Sequence, residues 1–190
     1  MLKRILIICW LFPANLLAQN LVPNPGFELF YDCPTGLRQL SKTQKWYSGN
    51  TGTLEYFRKD CNFSDTEPHS GKGYIGAILF GGYTDAIEYA GVELTDSLKA
   101  NHQYCASFHI KAGESFTYID QIGMLLTPNK IQLDYWAPIE ESPQVKSKYA
   151  EPIVPELGWI KLSDEIIADG GEKFLLIGNF IEPDKHVKEI

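Results

Sequence analysis

Few of the acids, imidazoles and thiols in this chain are spaced for shared chemistry. Its four histidines, His69, His102, His109 and His186, lie far apart, and none stands at a zinc-ligand spacing from another His or Cys. Ser70 follows His69 in EPHSGKG, but neighbours on an extended chain point to opposite sides, so the two do not pair as nucleophile and base. No G-x-S-x-G elbow, phosphate-cradling loop or dinucleotide fingerprint occurs. Two carboxylates facing across a groove could hydrolyse a glycoside, and Glu88, Glu93, Glu114 and Asp120 are available, yet the sequence singles out no pair. The chain therefore reads as non-catalytic, with a glycoside hydrolase ranked third behind a binding module and an adhesive one.

Binding chemistry is better supplied. A sugar presents apolar ring faces and hydroxyl edges, so its site combines exposed aromatics with short polar side chains. Tyr83, Tyr135 and Trp136 sit in irregular stretches that a β core does not claim, and they are the stacking candidates. Ser107, His109 and Gln121 become candidate edge contacts if their strands line a concave sheet. The expected partner is a carbohydrate, in particular a cell-wall or extracellular polysaccharide. The alternative is a structural or adhesive surface module with a protein partner, held by an apolar patch or an open sheet edge.

Strands must position these side chains, because helical periodicity is almost absent. Aromatic and β-branched runs occur at 54–57, 73–80, 86–94, 103–112, 118–126, 158–168 and 173–180, separated by turn signals such as HSGKG, TPNK and ADGGEK. The expected fold is all-β, an antiparallel β-sandwich. In QYCASFHIKA, alternation puts Tyr104, Ala106, Phe108 and Ile110 on the core side and Cys105, Ser107, His109 and Lys111 on the other. The opening stretch LVPNPGFELFYDCPTG, with Pro23, Pro25, Asn24 and Gly26, predicts an irregular edge that becomes a short strand. Between Pro128 and Pro155 the pattern lapses over a length that is usually functional or disordered.

Residues 1–19 carry Lys3 and Arg4, an apolar run from Ile5 to Phe12, and Pro13, which reads as a secretory signal peptide cleaved near Ala18 or Gln19. Cleavage moves the net charge from −7 to −9, since the leader holds two bases and no acid. The remaining bases form no stripe, which argues against nucleic acid and anionic lipid. No membrane span is expected after cleavage, so the product should be periplasmic, outer-membrane-associated or extracellular. Export also permits disulfides. Cys33 and Cys61 lie in polar, turn-rich surroundings and are the expected pair, with Cys105 in a regular strand left as a free thiol.

Several segments, in order, carry a family likeness. NLVPNPGFE, EPHSGKGYIGAILF, LKANHQYCASFHIKA and GWIKLSDEIIADGGEKFLLIGNF resemble the strands of galactose-binding-like jelly rolls, notably carbohydrate-binding modules. NPGFELFYDCPTG, Trp46-Tyr47, EYFRKDC, EPHSG and GEKFLLIGNF are similar to a secreted module of Gram-negative bacteria that often precedes an outer-membrane-protein-A-like peptidoglycan-associated domain. The resemblance implies a jelly roll over residues 20–182, with Phe27 in the core. It also implies a structural Ca2+ held by Glu28 and by backbone oxygens around Gly71 and Lys72. The family pattern ends in one more strand, which IEPDKHVKEI does not supply. The domain is thus expected to lack its final strand, with the polar tail 183–190 marking a truncation and the N-terminal strand edge left to fray.

Overall fold

Apolar alternation cut by turn residues produces short strands. The computed structural model describes residues 19–79, 87–113, 119, 121–134, 138–147 and 153–180, and within them nine strands and no α-helix. They are β1 (Trp46–Ser48), β2 (Glu55–Arg58), β3 (Gly73–Gly76), β4 (Ala90–Glu93), β5 (Gln103–Ile110), β6 (Gly123–Thr127), β7 (Val145–Lys146), β8 (Ile160–Ile167) and β9 (Phe174–Gly178). Every pairing between them is antiparallel. One sheet has the order β1-β4-β9-β6-β7, while β2 pairs with β3 and β5 with β8. β1 and β7 are additions to the strands read from the sequence, too short to leave a pattern of their own.

Alternation then decides what is buried. In β8, Leu162 and Ile166 turn inward while Lys161, Ser163, Glu165 and Ile167 turn out, and β5 alternates in step. The inward side chains meet the five-stranded sheet. One apolar cluster joins Trp46, Val92, Met124, Leu126, Val145 and Leu175 to Ile166, with Tyr104, Ala106, Phe108 and Ile75 packed against it. This is a β-sandwich core, in which each fully buried Leu, Ile or Val is worth about 1.5–3 kcal/mol.

The opening stretch departs from expectation. No strand forms over 21–29; there is only an isolated bridge between Phe30 and Thr43. Asn24 and Phe27 take left-handed φ values of 52° and 59°, which break an extended run. Side-chain bonds replace the ladder. Asn24 Nδ2 donates to the carbonyls of Leu29 (2.9 Å) and Gln44 (2.8 Å), its Oδ1 accepts from Leu29 N (2.8 Å), and Trp46 Nε1 donates to Asn24 O (3.0 Å). Phe27 packs on Trp46 at 4.9 Å between ring centroids and joins the core. Thr95 N also holds Leu21 O at 2.9 Å, so this stretch is pinned through its side chains and ends.

The long connection after Pro128 acquires a structural role. Ile131, Leu133 and Ile139 lie over the outer face of the five-stranded sheet, against Tyr89, Leu125, Leu176 and Phe180. Tyr89 ties them together: its hydroxyl donates to Asn179 O (2.6 Å) and accepts from Ile139 N (2.8 Å). Burial pushes this phenol's pKa up to about 12, so it remains a protonated donor. Gln144 completes the seam by bonding both the N–H and the carbonyl of Leu126.

Candidate functional site

Among the described residues, nothing comparable covers the outer face of the β5–β8 pair, whose outward side chains are exposed. Cross-strand partners share a face, so the register stacks outward pairs in rows: Gln103 with Ile167, Cys105 with Glu165, Ser107 with Ser163, and His109 with Lys161. The Ser107–Ser163 row is short. Taller rows flank it, with His109 and Lys161 on one side and Glu165, bonded by Gln103 Nε2 at 2.6 Å, on the other. The result is a trough across two strands, polar except for the exposed Ile167 at its far end.

Aromatic rings close one end. His69, from the turn before β3, stacks on His109 with ring centroids 3.6 Å apart and planes 19° from parallel. Trp159, just before β8, stands edge-on to His69 at 6.0 Å and to Tyr74 at 6.2 Å. Its Nε1 donates to Glu67 O (2.8 Å), which fixes the indole. Burial lowers the His109 pKa, and the charges of His69 and Lys161 lower it further. A neutral imidazole both donates and accepts, which suits a hydroxyl.

Of the residues singled out in the sequence, Ser107 and His109 therefore meet on an exposed face. Gln121 does not join them; its Nε2 donates to Phe180 O (2.7 Å). Tyr83, Tyr135 and Trp136 lie outside the described residues. Sequence reading missed Trp159, Lys161, Ser163 and the binding use of His69. The β5–β8 register that assembles them is a long-range pairing, and only the Trp at the start of a strand was a visible signal.

Cys33 and Cys61 form a disulfide with Cα atoms 5.5 Å apart, and Cys105 is free and exposed on the trough face. The acids are placed differently from one another. Glu88 is fully buried, with Oε1 accepting from Thr53 N and Oε2 from Ile78 N (2.8 Å). Glu93 is exposed on the opposite side of β4 near Lys173. These two do not face each other, and Glu114 and Asp120 lie outside the described residues. Glu55 is the strongly tuned carboxyl: burial and the Glu88 charge push its pKa up to about 7.

The residues expected around Ca2+ do not fit a metal. Glu28 Oε1 accepts from the N–H groups of Lys72 (2.6 Å) and Gly73 (3.1 Å), while Oε2 pairs with Arg58 Nη2 (3.2 Å). The turn thus presents donors to the carboxylate, where a hard cation needs oxygens. Lys72 O is itself taken by Lys59 N (2.9 Å). Gly71, at φ 63°, keeps its Cα beside Glu28, where a side chain would collide with the carboxylate. Burial raises the Glu28 pKa, but those two N–H bonds and the Arg58 charge outweigh it and hold the group below its ordinary value. Among the described residues no cluster of three or more His, Cys, Asp or Glu could hold a metal ion.

A second concavity, an open groove of about 360 Å³, runs along β1 and is lined by Tyr31, Thr43, Lys45, Tyr47, Lys130 and Phe174. Lys130 Nζ sits 4.3 Å from the Tyr47 ring centroid and caps that ring. The chain matches no known family model, no curated protein and no solved structure, so its function rests on this geometry.

Proposed function

We propose that this protein is an exported, non-catalytic β-sandwich module, of the galactose-binding-like jelly-roll kind, that binds carbohydrate, in particular cell-wall or extracellular polysaccharide, on the β5–β8 face. The observation that carries the reading is the asymmetry of the two outer faces. One is sealed by apolar packing, while the other is bare and combines short hydroxyls, a stacked pair of imidazoles and an indole. Carbohydrate recognition uses that mixture, with stacking rings for the apolar sugar faces and adaptable donors and acceptors for the hydroxyl edges. The disulfide supports export, because such bonds persist in oxidising compartments.

Binding to insoluble peptidoglycan and a panel of polysaccharides tests the proposal. His109→Ala should weaken retention at least tenfold, and Ser163→Trp, which fills the trough, should abolish it. Unchanged retention by both variants, or no retention of any glycan by the natural sequence, would contradict it.

A second reading, adhesion to a protein, has one observation in its favour. Leu29, Tyr31 and Leu37 are 53%, 71% and 62% exposed within one short stretch around Cys33. Replacing all three with Ser while glycan retention persists would assign any lost adhesion to that stretch.

A further inference from the structure

The groove along β1 holds charges and a hydroxyl that the fold itself leaves unused. Lys45 and Lys130 line it and are exposed, and neither has a carboxylate partner among the described residues. The acid on its rim, Glu93, is engaged by Lys173 at 3.8 Å. On a chain of net charge −7 the groove is therefore a basic spot, and two unpaired ammonium groups draw anions to it. Lys45 takes a φ of 78°, left-handed backbone that Gly or Asn adopts at less cost, and such conformations cluster at ligand sites. Between Gly91 and the Lys130 ammonium lies the Tyr47 ring, whose hydroxyl is buried without a hydrogen-bond partner. Burial first, then the Glu93 charge, push this phenol's pKa up to about 12, so it remains a donor. An orphaned donor costs stability in the free fold, and a ligand oxygen would satisfy it.

We propose that this groove is a second glycan site, selective for acidic sugar: a pyranose that bears a carboxylate, of the uronic-acid class. The carboxylate pairs with Lys45 and Lys130. Drawing Lys130 off Tyr47 bares a ring face for the sugar and opens the phenol to one of its oxygens. Tyr31 and Ser41, both exposed, bring a further ring and hydroxyl to the same groove. Its volume of about 360 Å³ is at the small end for ligand sites, and because it is open an internal sugar of a polysaccharide enters as readily as a chain end. An acidic peptide would match the charge but offers the rings no flat apolar face. The site belongs to the five-stranded sheet, and it does not depend on the β5–β8 trough being a glycan site.

Titration calorimetry with short oligomers of galacturonic, mannuronic and glucuronic acid tests it, with their methyl esters as uncharged analogues. At least one acid should bind, its ester at least about tenfold more weakly, and about 0.5 M salt should weaken the acid several-fold. Lys45→Ala and Lys130→Ala should each weaken binding about fivefold at an unchanged melting temperature, since both side chains are exposed. Tyr47→Phe should weaken it about as much while melting no lower, because it discards a hydroxyl that has no partner in the free fold. A purely structural tyrosine would show the reverse. Ser163→Trp, which fills the trough, should leave this binding intact. The proposal is overturned if none of the three acids binds, if acid and ester bind equally, if Lys45→Ala/Lys130→Ala protein binds in full, or if Ser163→Trp abolishes binding. Tighter binding of a hexaglutamate peptide than of any acid oligomer also overturns it and assigns the groove to an acidic protein segment.

Discussion

The two outer faces of the sandwich start from similar strands and end differently. On the five-stranded sheet, Tyr89, Leu125 and Leu176 face outward, and an apolar outward row would stay wet unless something covered it; Ile131, Leu133 and Ile139 of the long connection do so. On the β5–β8 pair the outward positions are Gln103, Cys105, Ser107 and His109 opposite Ile167, Glu165, Ser163 and Lys161; most are polar and need no cover, and the one large apolar side chain among them, Ile167, stays 75% exposed at the end of the strand. A face that is mostly polar, uncovered among the described residues and capped by stacked rings is cheap to keep exposed and equipped to bind. The contrast teaches that the same β pattern was spent on stability on one side and on recognition on the other.

The contrast breaks most visibly where cover is lost. Leu176 is fully buried beneath the connection, and Leu176→Ala should cost about 2–5 kcal/mol, read as a lower denaturant midpoint with an unchanged slope. If the cost is under about 0.5 kcal/mol, the cover is not a second core. Tyr89→Phe keeps the ring but strips the hydroxyl from Asn179 O and Ile139 N, leaving the Ile139 N–H buried and the Asn179 carbonyl half-buried. A loss of about 1–3 kcal/mol is expected, with faster hydrogen exchange at Ile139.

A pH scan separates interior acids from surface imidazoles. Glu55 is raised from its ordinary value of 4.5 to about 7, first by burial and then by Glu88. Between those two pH values the folded protein holds a proton that the unfolded chain has released, so stability falls as pH rises through the window. Glu55→Gln should flatten that fall and stabilise the protein at pH 8 by about 1 kcal/mol after screening. His109 has the opposite sign. Its folded pKa is lowered, by burial first, so the stability it contributes is present above pH 6.5 and is lost as pH falls through the folded value. On an exposed strand this amounts to a few tenths of a kcal/mol at most. Glycan retention, by contrast, should drop as pH falls through the lowered His109 value, where charging that imidazole removes its acceptor and loosens its stack on His69. Stability effects of Ser107→Ala and Ser163→Ala should be the smallest, within about 0.5 kcal/mol.

Much of this was legible in the sequence. Seven runs became strands because alternation and turn residues are local signals, and the face assignment in β5 followed from period two alone. The sandwich class followed from the absence of helical periodicity. The opening stretch was misjudged because Asn24 and Phe27 adopt left-handed backbone held by tertiary contacts with Gln44, Trp46 and Tyr56, which no window around residue 24 contains. Glu28 was read for calcium because its partner Arg58 lies thirty residues away, and proximity in space, not in sequence, gives the carboxylate its counter-charge. His69, Trp159 and Ser163 stayed invisible for the same reason. His109 could be named from its strand, but the rings and hydroxyls beside it depend on the register of β8 and on the turn before β3.

Cys105 offers the most direct test of the bare face, because it is exposed beside the Ser107–Ser163 row and is the free thiol among the described cysteines. Labelling it with a bulky maleimide places an obstruction on that face without touching the core or the covered side. Glycan retention is then compared with unlabelled protein and with label-treated Cys105→Ser protein. The β5–β8 account predicts at least a tenfold loss of retention on labelling, no loss in Cys105→Ser, and no change in melting temperature. Labelled protein that binds glycan as well as unlabelled protein would contradict it.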